Sequence, residues 1–146
     1  MKHSVTELPF NRFIGLQPAT TPEKLLQLPA GEQYGNHLGT IHASALLALA
    51  EASSGEFLQR QFGGSDGVVP VVRRLEAKFR KPANGAVTST ASATPDALTQ
   101  LNADLAAKGR ALIPITVELH DDSGAHALSA TVEWFIQRLP SGVTPS

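Results

Sequence analysis

The chain has 146 residues, of which 42% are hydrophobic, 17% charged and 5% aromatic; this is typical of one globular domain and excludes a largely disordered chain. Twelve Lys and Arg residues against thirteen Asp and Glu residues give a formal charge of -1, so no overall field attracts nucleic acid or an acidic membrane. Because cysteine is absent, thiol nucleophiles, iron–sulfur clusters, zinc ribbons and disulfide bonds are excluded.

The first thirty residues predict one short helix and one strand. The apolar residues within 10–14 have the spacing of an amphipathic helix, which Gly15 ends. Residues 23–28 favour a strand bounded by prolines. No apolar run has the length of a signal peptide or approaches the ~20 residues of a membrane span, so we expect a cytoplasmic protein.

Residues 43–62 carry the strongest helix signal, and a central helix is predicted over about 42–62. The stretch ASALLALAEASSGEFLQRQF lacks proline and is dominated by residues that favour helix. It is apolar on nearly all sides until Glu51, so other elements must cover it from several directions. The glycine-rich residues 63–67 are predicted to end it.

The remainder of the chain is predicted to be mostly strand, with a short helix inserted at about 96–108. Alternation of apolar and polar residues suggests one buried and one exposed face for each strand. The turn at 121–124 is predicted to join the last two strands as a hairpin. The predicted strands are Val68–Lys81, Ala86–Thr94, Arg110–His120 and Ala127–Arg138.

This order of elements predicts an α+β domain in which a curved antiparallel sheet wraps around the long central helix. We expect a single domain over residues 1–139. Residues 140–146 contain Pro, Gly and Ser and are predicted to form a frayed tail.

Two motifs resemble chemical sites but lack the context that the chemistry needs. Residues 63–67 (GGSDG) match the nucleophile-elbow pattern, but here a helix precedes and a strand follows, which is the reverse of an elbow. His37 and His42 are five residues apart, and His120 and His126 flank a turn. Neither pair has a recognised ligand spacing, so no metal site is predicted.

The polar loop before the central helix is the most informative segment. The first N–H groups of a helix are unpaired, and the positive end of its dipole suits an anion or a developing oxyanion. Glu51 is the only charge in the first turns of this helix, and a buried carboxylate there costs free energy unless it is paired, solvated or used. Two interpretations therefore stay open: Glu51 is functional, or it faces a solvated edge.

Asn36, Gly39-Thr40, His42 and Glu51 resemble the motif of hotdog-fold thioesterases of the phenylacetic-acid-degradation and 4-hydroxybenzoyl-CoA type. In that pattern an Asn or Gln lies six residues before a His, two Gly usually follow the His, and an acid lies nine residues after it. The spacings here are the same six and nine residues. The resemblance covers about residues 11–138 and extends to thioesterase-like hotdog proteins of unknown substrate.

The resemblance implies roles for the matching residues. Glu51 would act as nucleophile or as general base for water, and the Ala43 N–H would hold the thioester oxygen. Asn36 would orient the thioester or the water, whereas His42 would either act directly or only cap the loop. Further residues expected at the substrate are Gly39, Thr40, Ser44, Ser54 and Gly55.

Two features of the sequence modify this expectation: a departure from the family motif after His42, and the distance along the helix between Ala43 and Glu51. The usual His-Gly-Gly is His42-Ala43-Ser44 here, and the added side chains narrow the slot for the thioester carbonyl. Ala43 and Glu51 lie eight residues apart, about 12 Å along a helix, so both cannot contact one carbonyl within one chain. We therefore expect a second, antiparallel copy to complete the site, in a homodimer or a dimer of dimers.

Five basic residues fall within nine positions of the strand predicted at 68–81. Alternation places Arg74, Lys78 and Arg80 on one face. They form either an ordinary solvated face or, with Lys81, a rim that attracts the phosphates of coenzyme A.

We therefore expect an enzyme that hydrolyses acyl-CoA or a similar thioester without a metal or redox cofactor, coenzyme A entering only as part of the substrate. The alternative is a catalytically weak acyl-CoA-binding or accessory hotdog module, which the departure at Ala43 and Ser44 favours. A hydratase of the same fold is disfavoured because its Asp/His pairing on the helix is missing. The motif leaves the acyl group open.

Overall fold

The computed structural model describes residues 4–62 and 67–140. Two 3₁₀ turns, Val5–Glu7 and Glu32–Tyr34, precede the first and second helices. The helices are α1 (Pro9–Ile14), α2 (Ala43–Gln61) and α3 (Pro95–Lys108), and the strands are β1 (Gln17–Pro18), β2 (Leu26–Leu28), β3 (Val68–Phe79), β4 (Val87–Ser92), β5 (Arg110–Asp121) and β6 (His126–Arg138).

The six strands form one antiparallel sheet in the order β1-β2-β4-β5-β6-β3. The β5–β6 hairpin pairs over nearly its whole length, and β3 pairs with β6 alone among the described strands. Alternate residues of β5 point into the core, as the sequence pattern predicts. The buried residues of β5 are Ala111, Ile113, Ile115, Val117, Leu119 and Asp121.

Asp121 organises the turn between β5 and β6. Its Oδ1 accepts hydrogen bonds from the Ser123 hydroxyl (2.7 Å) and from the N–H groups of Ser123 (2.9 Å) and Ala125 (3.0 Å). Its Oδ2 accepts from the Asn84 N–H at 3.1 Å, which ties the turn to the loop before β4. The Ser123 hydroxyl, together with the backbone donors, outweighs partial desolvation and holds the pKa of Asp121 below its usual value.

Helix α2 lies against the sheet and contacts every strand except β1. Leu49 and Ala50 are fully buried at its centre, and Leu58 is buried near its end. Each fully buried leucine contributes about 1.5–3 kcal/mol through its removal from water. The small Ala and Ser side chains of this helix let the strands approach it closely. Because strands cover the helix on several sides, apolar residues occur nearly all around it.

Most of the predicted elements are confirmed, including the α+β class, the antiparallel sheet, the long helix, the two short helices and the final hairpin. The strand predicted at 23–28 is only Leu26–Leu28, and Gln17–Pro18, which was not predicted as a strand, pairs with it. The prediction of a buried face for every strand holds only in part for the edge strand β3: Leu75 and Ala77 are half-buried against the core, whereas Val71, Val72 and Phe79 are exposed. The prediction of a glycine-rich loop at 63–67 and that of a frayed tail at 140–146 fall largely outside the described residues.

In the described parts of the chain, no helix has both the length and the hydropathy needed to span a membrane.

Two glycines in the left-handed region test how α1 is anchored. A Cβ on Gly15 (φ 91°) would lie 2.5 Å from the hydroxyl oxygen of buried Tyr34, whereas one on Gly109 (φ 73°) would meet no atom within 4 Å. Gly109→Ala is expected to cost about 1–2 kcal/mol, the usual cost of a left-handed alanine. Gly15→Ala should cost about 1 kcal/mol more, because Tyr34 must move and lose its hydrogen bond to the Ile14 carbonyl. Urea unfolding measures both, and equal losses would contradict the proposed clash.

Candidate functional site

His42 caps the N-terminus of α2. Its Nδ1 accepts a hydrogen bond from the Ser44 N–H at 3.0 Å, and its carbonyl accepts from the N–H groups of Ala45 (3.0 Å) and Leu46 (3.2 Å). Of the N–H groups in this first turn, that of Ala43 has no acceptor among the described residues. Ala43 and Ser44 are both exposed, so the free N–H lies at the protein surface at the positive end of the helix dipole.

The loop before α2 is held by the side chain of Asn36. Its Oδ1 accepts from the N–H groups of Leu38 (2.9 Å) and Thr40 (3.0 Å), and its Nδ2 donates to the Thr40 hydroxyl at 2.9 Å. Gly39 occupies the tip with a φ of 78°, which favours glycine. Asn36 therefore shapes the loop in this structure, while its predicted role of orienting a thioester or a water stays a prediction.

Glu51 lies on α2, about two turns after the free N–H. Burial raises the pKa of its carboxyl above the ordinary value of 4.5. No described side chain or N–H donates a hydrogen bond to its carboxylate, although its backbone carbonyl accepts one from the Ser54 hydroxyl at 2.7 Å. A half-buried carboxylate without a partner takes up a proton more readily than an exposed one, as a general base must.

Glu51 borders an apolar cavity of about 420 Å³. The floor is formed by Gly55 and the indole of Trp134, because a Cβ on Gly55 would lie 3.4 Å from the Trp134 ring. None of the described lining residues is Lys, Arg or His. They are Val5, Leu8, Phe10, Asn11, Glu51, Ala52, Gly55, Leu58, Gln59, Phe62, Val68, Val69, Pro70 and Trp134.

Ser54 lies beneath this cavity rather than in its lining. Its side chain is buried, and its hydroxyl accepts a hydrogen bond from the Trp134 indole N–H at 2.9 Å while donating to the Glu51 carbonyl. Ser54 was predicted at the substrate. In the structure Ser54 fixes Trp134 and does not line the cavity, whereas Gly55 does line it. Contact of either residue with a substrate stays a prediction.

The predicted site residues fall into two groups, and within one chain these groups border two different cavities. Gly39, Thr40 and Asn36 border a polar cavity of about 380 Å³ near the N-terminus of α2. Glu51 and Gly55 border the apolar cavity instead. Neither Ala43 nor any residue of its loop belongs to the apolar cavity, in agreement with the helical distance of about 12 Å between Ala43 and Glu51.

The basic residues of β3 lie away from the apolar cavity of the same chain. Arg74 pairs with Glu76, and the Nε of Arg80 donates to the Ser129 hydroxyl at 2.8 Å. Lys78 and Lys81 are exposed. Lys81 stands two residues before Ala83, whose carbonyl accepts from the Ile41 N–H at 3.0 Å, so this end of the basic strand adjoins the loop before α2.

The hairpin histidines interact with each other and with an acid. The rings of His120 and His126 stack with centroids 4.6 Å apart, and the Nε2 of His126 lies 2.7 Å from Glu118 Oε1. Partial burial opposes ionisation of Glu118, but hydrogen bonds from Ser129 and His126 outweigh it and lower its pKa. Within residues 4–62 and 67–140, no three acidic or histidine side chains are grouped to hold a metal ion.

Sequence patterns did not identify two contributors to the cavity lining, Trp134 and the N-terminal segment, or the buried Glu56 that binds this segment. Glu56 could have been noticed as a second acid on a helix that the pattern predicts to be covered on several sides. Nothing in the sequence indicates that residues 5–11 return to α2, because that contact spans about fifty positions of chain.

Comparison with models of known protein families shows the family to which this chain belongs. The model of a family described as Domain of unknown function (DUF4442) matches residues 15–136. The chain belongs to the DUF4442 family. The match includes the loop before α2, Glu51 and nearly the whole sheet. A search of proteins with curated functions found no match to this DUF4442 chain.

Solved structures with the fold of this DUF4442 chain are hotdog proteins of the thioesterase superfamily. PA5026 from Pseudomonas aeruginosa, of unknown function and described as a probable thioesterase, is 25% identical with a TM-score of 0.75, covering 94% of this chain and 93% of that one. The thioesterase HI1161 from Haemophilus influenzae is 15% identical with a TM-score of 0.71, over 95% and 90% of the two chains. BH2602 from Bacillus halodurans, solved with CoA, is 22% identical with a TM-score of 0.61, over 76% and 65%.

The cap at His42 can be tested by stability alone. His42→Ala removes the acceptor of the Ser44 N–H and is expected to destabilise the DUF4442 chain by about 1 kcal/mol. His42→Asn supplies a side-chain oxygen that caps helices well, so it should retain nearly the full free energy of unfolding. Urea denaturation of the two variants measures this. Equal destabilisation by Asn and Ala would show that His42 does not stabilise the helix as a cap.

Proposed function

We propose that the chain hydrolyses acyl-CoA or a closely related thioester at a site completed by two copies of the chain. The observation that carries this proposal is the half-buried carboxylate of Glu51 beside an apolar cavity with no described cation in its lining. The spacing of Asn36, His42 and Glu51 supports the phenylacetic-acid-degradation and 4-hydroxybenzoyl-CoA type. CoA bound to BH2602 supports the choice of a CoA thioester.

In the proposed reaction Glu51 acts as general base. Its carboxylate removes a proton from a water molecule while the water oxygen attacks the thioester carbonyl carbon. The tetrahedral intermediate collapses by breaking the carbon–sulfur bond, and the thiolate of coenzyme A takes up the proton that Glu51 holds. Alternatively, the Glu51 carboxylate attacks the carbonyl carbon and expels the thiolate of coenzyme A, and water hydrolyses the resulting anhydride to the acid and free Glu51. Neither route requires a metal ion or a redox cofactor.

The Ala43 N–H is proposed to stabilise the negative oxygen of the intermediate. It meets no acceptor among the described residues, and the helix dipole of α2 adds a positive potential at the same point. Loss of a single donor of this kind typically costs a factor of about 10²–10³ in kcat. The loop of Gly39 and Thr40, with Ser44 of the first helical turn, would border the pantetheine arm of the substrate there.

A second copy of the chain is proposed to bring its Glu51 to this N–H. The free edge of β3 exposes apolar side chains, with Val71 50%, Val72 38% and Phe79 48% exposed. An exposed apolar edge strand favours pairing with another strand. Antiparallel pairing of two β3 edges would run the two α2 helices in opposite directions and so oppose Ala43 of one chain to Glu51 of the other.

The basic residues of β3 are proposed to bind the phosphates of coenzyme A. Lys78, Arg80 and Lys81 lie at the end of β3 that adjoins the loop before α2, which is where the nucleotide would leave the site. Arg74 is already paired with Glu76, so it would contribute less. Exposed cations each add little to affinity, and their effect should weaken with salt.

A second candidate function is an acyl-CoA-binding module without turnover. Two observations favour it: Ala43 and Ser44 stand where the related motif has glycines, and both ends of the Asn36 amide are occupied within its own loop. Measured rates on a panel of acyl-CoAs, set beside binding of the same compounds, distinguish the two functions. Tight binding with no release of thiol would favour the module.

The variant Glu51→Gln tests both the role of Glu51 as general base and the raised pKa of its carboxyl. We expect kcat to fall by at least about a hundredfold, because Gln keeps the shape but cannot accept the proton. In the wild type, kcat/KM should rise with pH through the raised pKa, with its midpoint above 4.5, and this acid limb should vanish in the variant. The rate at which free thiol is released from acyl-CoA measures both parameters.

The same variant should be more stable than the wild type at neutral pH. A carboxyl whose pKa is raised by burial destabilises the fold once it ionises, so wild-type stability falls as the pH rises from the ordinary value through the raised one. The advantage of Gln in Tm should therefore disappear below about pH 4. An unchanged rate in Glu51→Gln would move the chemistry to another residue.

Ala43→Pro tests the shared site. Proline removes the N–H, suits the first position of a helix, and tolerates the extended backbone of His42 before it (φ -62°, ψ 138°). The variant should therefore fold but lose activity. In a heterodimer of Ala43→Pro with Glu51→Gln, one site carries both lesions and the other carries neither, so a refolded equal mixture should recover about a quarter of wild-type activity. Absence of any recovery in a mixture that forms dimers would exclude a site shared in this way.

A further inference from the structure

Glu56 is a buried acid on α2 that the proposed chemistry does not use. It is 7% exposed, and its Oε1 accepts from the Ser4 hydroxyl and the Val5 N–H, both at 3.2 Å. Its Oε2 accepts from the Arg60 Nε at 3.0 Å. Burial of a carboxylate without hydrogen-bond donors is costly, so the bonds from Ser4 and Val5 tie the N-terminal segment to Glu56.

The segment that Glu56 holds forms one wall of the apolar cavity. Val5, Leu8 and Phe10 all line it, and the side-chain amide of buried Asn11 donates to the Val5 carbonyl at 2.9 Å. These bonds fix the 3₁₀ turn and the start of α1 relative to α2. We refer to residues 4–11 as the N-terminal wall.

We infer that Glu56 is a positioning residue that holds the N-terminal wall over the cavity, and that this wall determines the length of the acyl group the protein accepts. The inference rests on the proposed function for the identity of the ligand as an acyl thioester. Gly55 and Trp134 border the cavity from α2 and β6, and the wall supplies a further surface of contact, with Val5 Cγ1 3.7 Å from the position of a Cβ on Gly55. Glu56 acts on the ligand only through residues of the wall.

The cavity chemistry selects an uncharged, apolar acyl group. The described lining offers aliphatic and aromatic side chains and no cation, and Glu51 would repel a second carboxylate on the substrate. Asn11 and Gln59 are the uncharged polar side chains of this lining, and the amide of Asn11 is bonded within the wall. A cavity of about 420 Å³ holds a medium-length chain or an aromatic ring more completely than a two- to four-carbon acyl group.

Kinetics on butanoyl-, octanoyl- and dodecanoyl-CoA test the wall. Glu56→Ala should raise KM for octanoyl-CoA by about tenfold, the scale at which apolar pockets discriminate chain length, while KM for butanoyl-CoA changes by less than about twofold. The kcat for butanoyl-CoA should be retained, because Glu51 and Ala43 are untouched. Arg60→Gln is the matched control: it removes the cation of Glu56 but leaves both bonds to the wall, so it should keep the wild-type length profile.

A pair of phenylalanines tests the wall without touching buried charge. Phe10 lines the cavity and is 63% exposed, whereas Phe13 on the same helix does not line it and is 85% exposed. Phe10→Ala should reproduce the length-selective rise in KM, and Phe13→Ala should not. Because both side chains are exposed, both variants are expected to fold even where Glu56→Ala does not.

A binding measurement separates this inference from the proposed function. Trp134 is the chain's one tryptophan, so its fluorescence reports on the cavity floor during titration with S-octyl-CoA, a thioether that cannot be hydrolysed, and with CoA alone as reference. Suppose that S-octyl-CoA binds more tightly than CoA, that Phe10→Ala weakens this binding, and that the protein hydrolyses no thioester. The role of the wall in recognising the acyl chain would then be supported, and the proposed hydrolase activity would be refuted. If instead hydrolysis depends on Glu51, and wild type, Glu56→Ala and Phe10→Ala all show the same preference for acyl-chain length, the role of the wall is refuted. The proposed hydrolase function would remain supported.

Discussion

Helix α2 lies against five strands with almost no charge along its length, and this burial constrains every polar group that it carries. A hydroxyl or carboxylate on such a helix must have a partner, reach solvent, or raise the free energy of the fold. The Ser53 hydroxyl donates to the Leu49 carbonyl and lies 2.6 Å from the Ser89 hydroxyl. Ser54 accepts from Trp134, and Glu56 accepts from the N-terminal wall.

Glu51 differs from these residues because no described group donates to its carboxylate. Its neighbours on the helix show that partners were available in this fold, since Glu56, five residues later, has three donors. Burial without a partner raises the pKa and keeps the carboxylate a ready proton acceptor, which suits a base. The same helix thus carries one acid that is fully paired and one that is not, and the unpaired acid is the proposed base.

Much of this arrangement could be predicted from the sequence, for identifiable reasons. Local patterns determine α2, α3 and the β5–β6 hairpin, because helix formers, periodic leucines and the Asp121 turn act within a few residues of chain. The position of Asn36 and His42 before the helix likewise follows from local spacing. The interpretation of His42 as a cap, kept open beside a chemical role, agrees with the bond between its Nδ1 and the Ser44 N–H.

The remainder depends on contacts between distant segments, which local patterns do not encode. β1 is only two residues long and exists through its pairing with β2. The exposure of β3 follows from its position at the edge of the sheet, which topology decides. The bond between Ser54 and Trp134 joins residues eighty positions apart, so the sequence did not indicate that Ser54 supports Trp134.

The attachment of the N-terminal wall has a consequence for the motions of the molecule. The wall adds no strand to the sheet, and hydrogen bonds from Ser4 and Val5 to Glu56, together with the burial of Val5, hold it to α2. Segments attached in this way open at a lower free energy than the strands of a core, and amide hydrogen exchange detects such local opening. The cavity is thus bordered by strands of the sheet and by a segment that we expect to open at a lower free energy than the sheet, and such opening would admit a bulky ligand while the core stays folded.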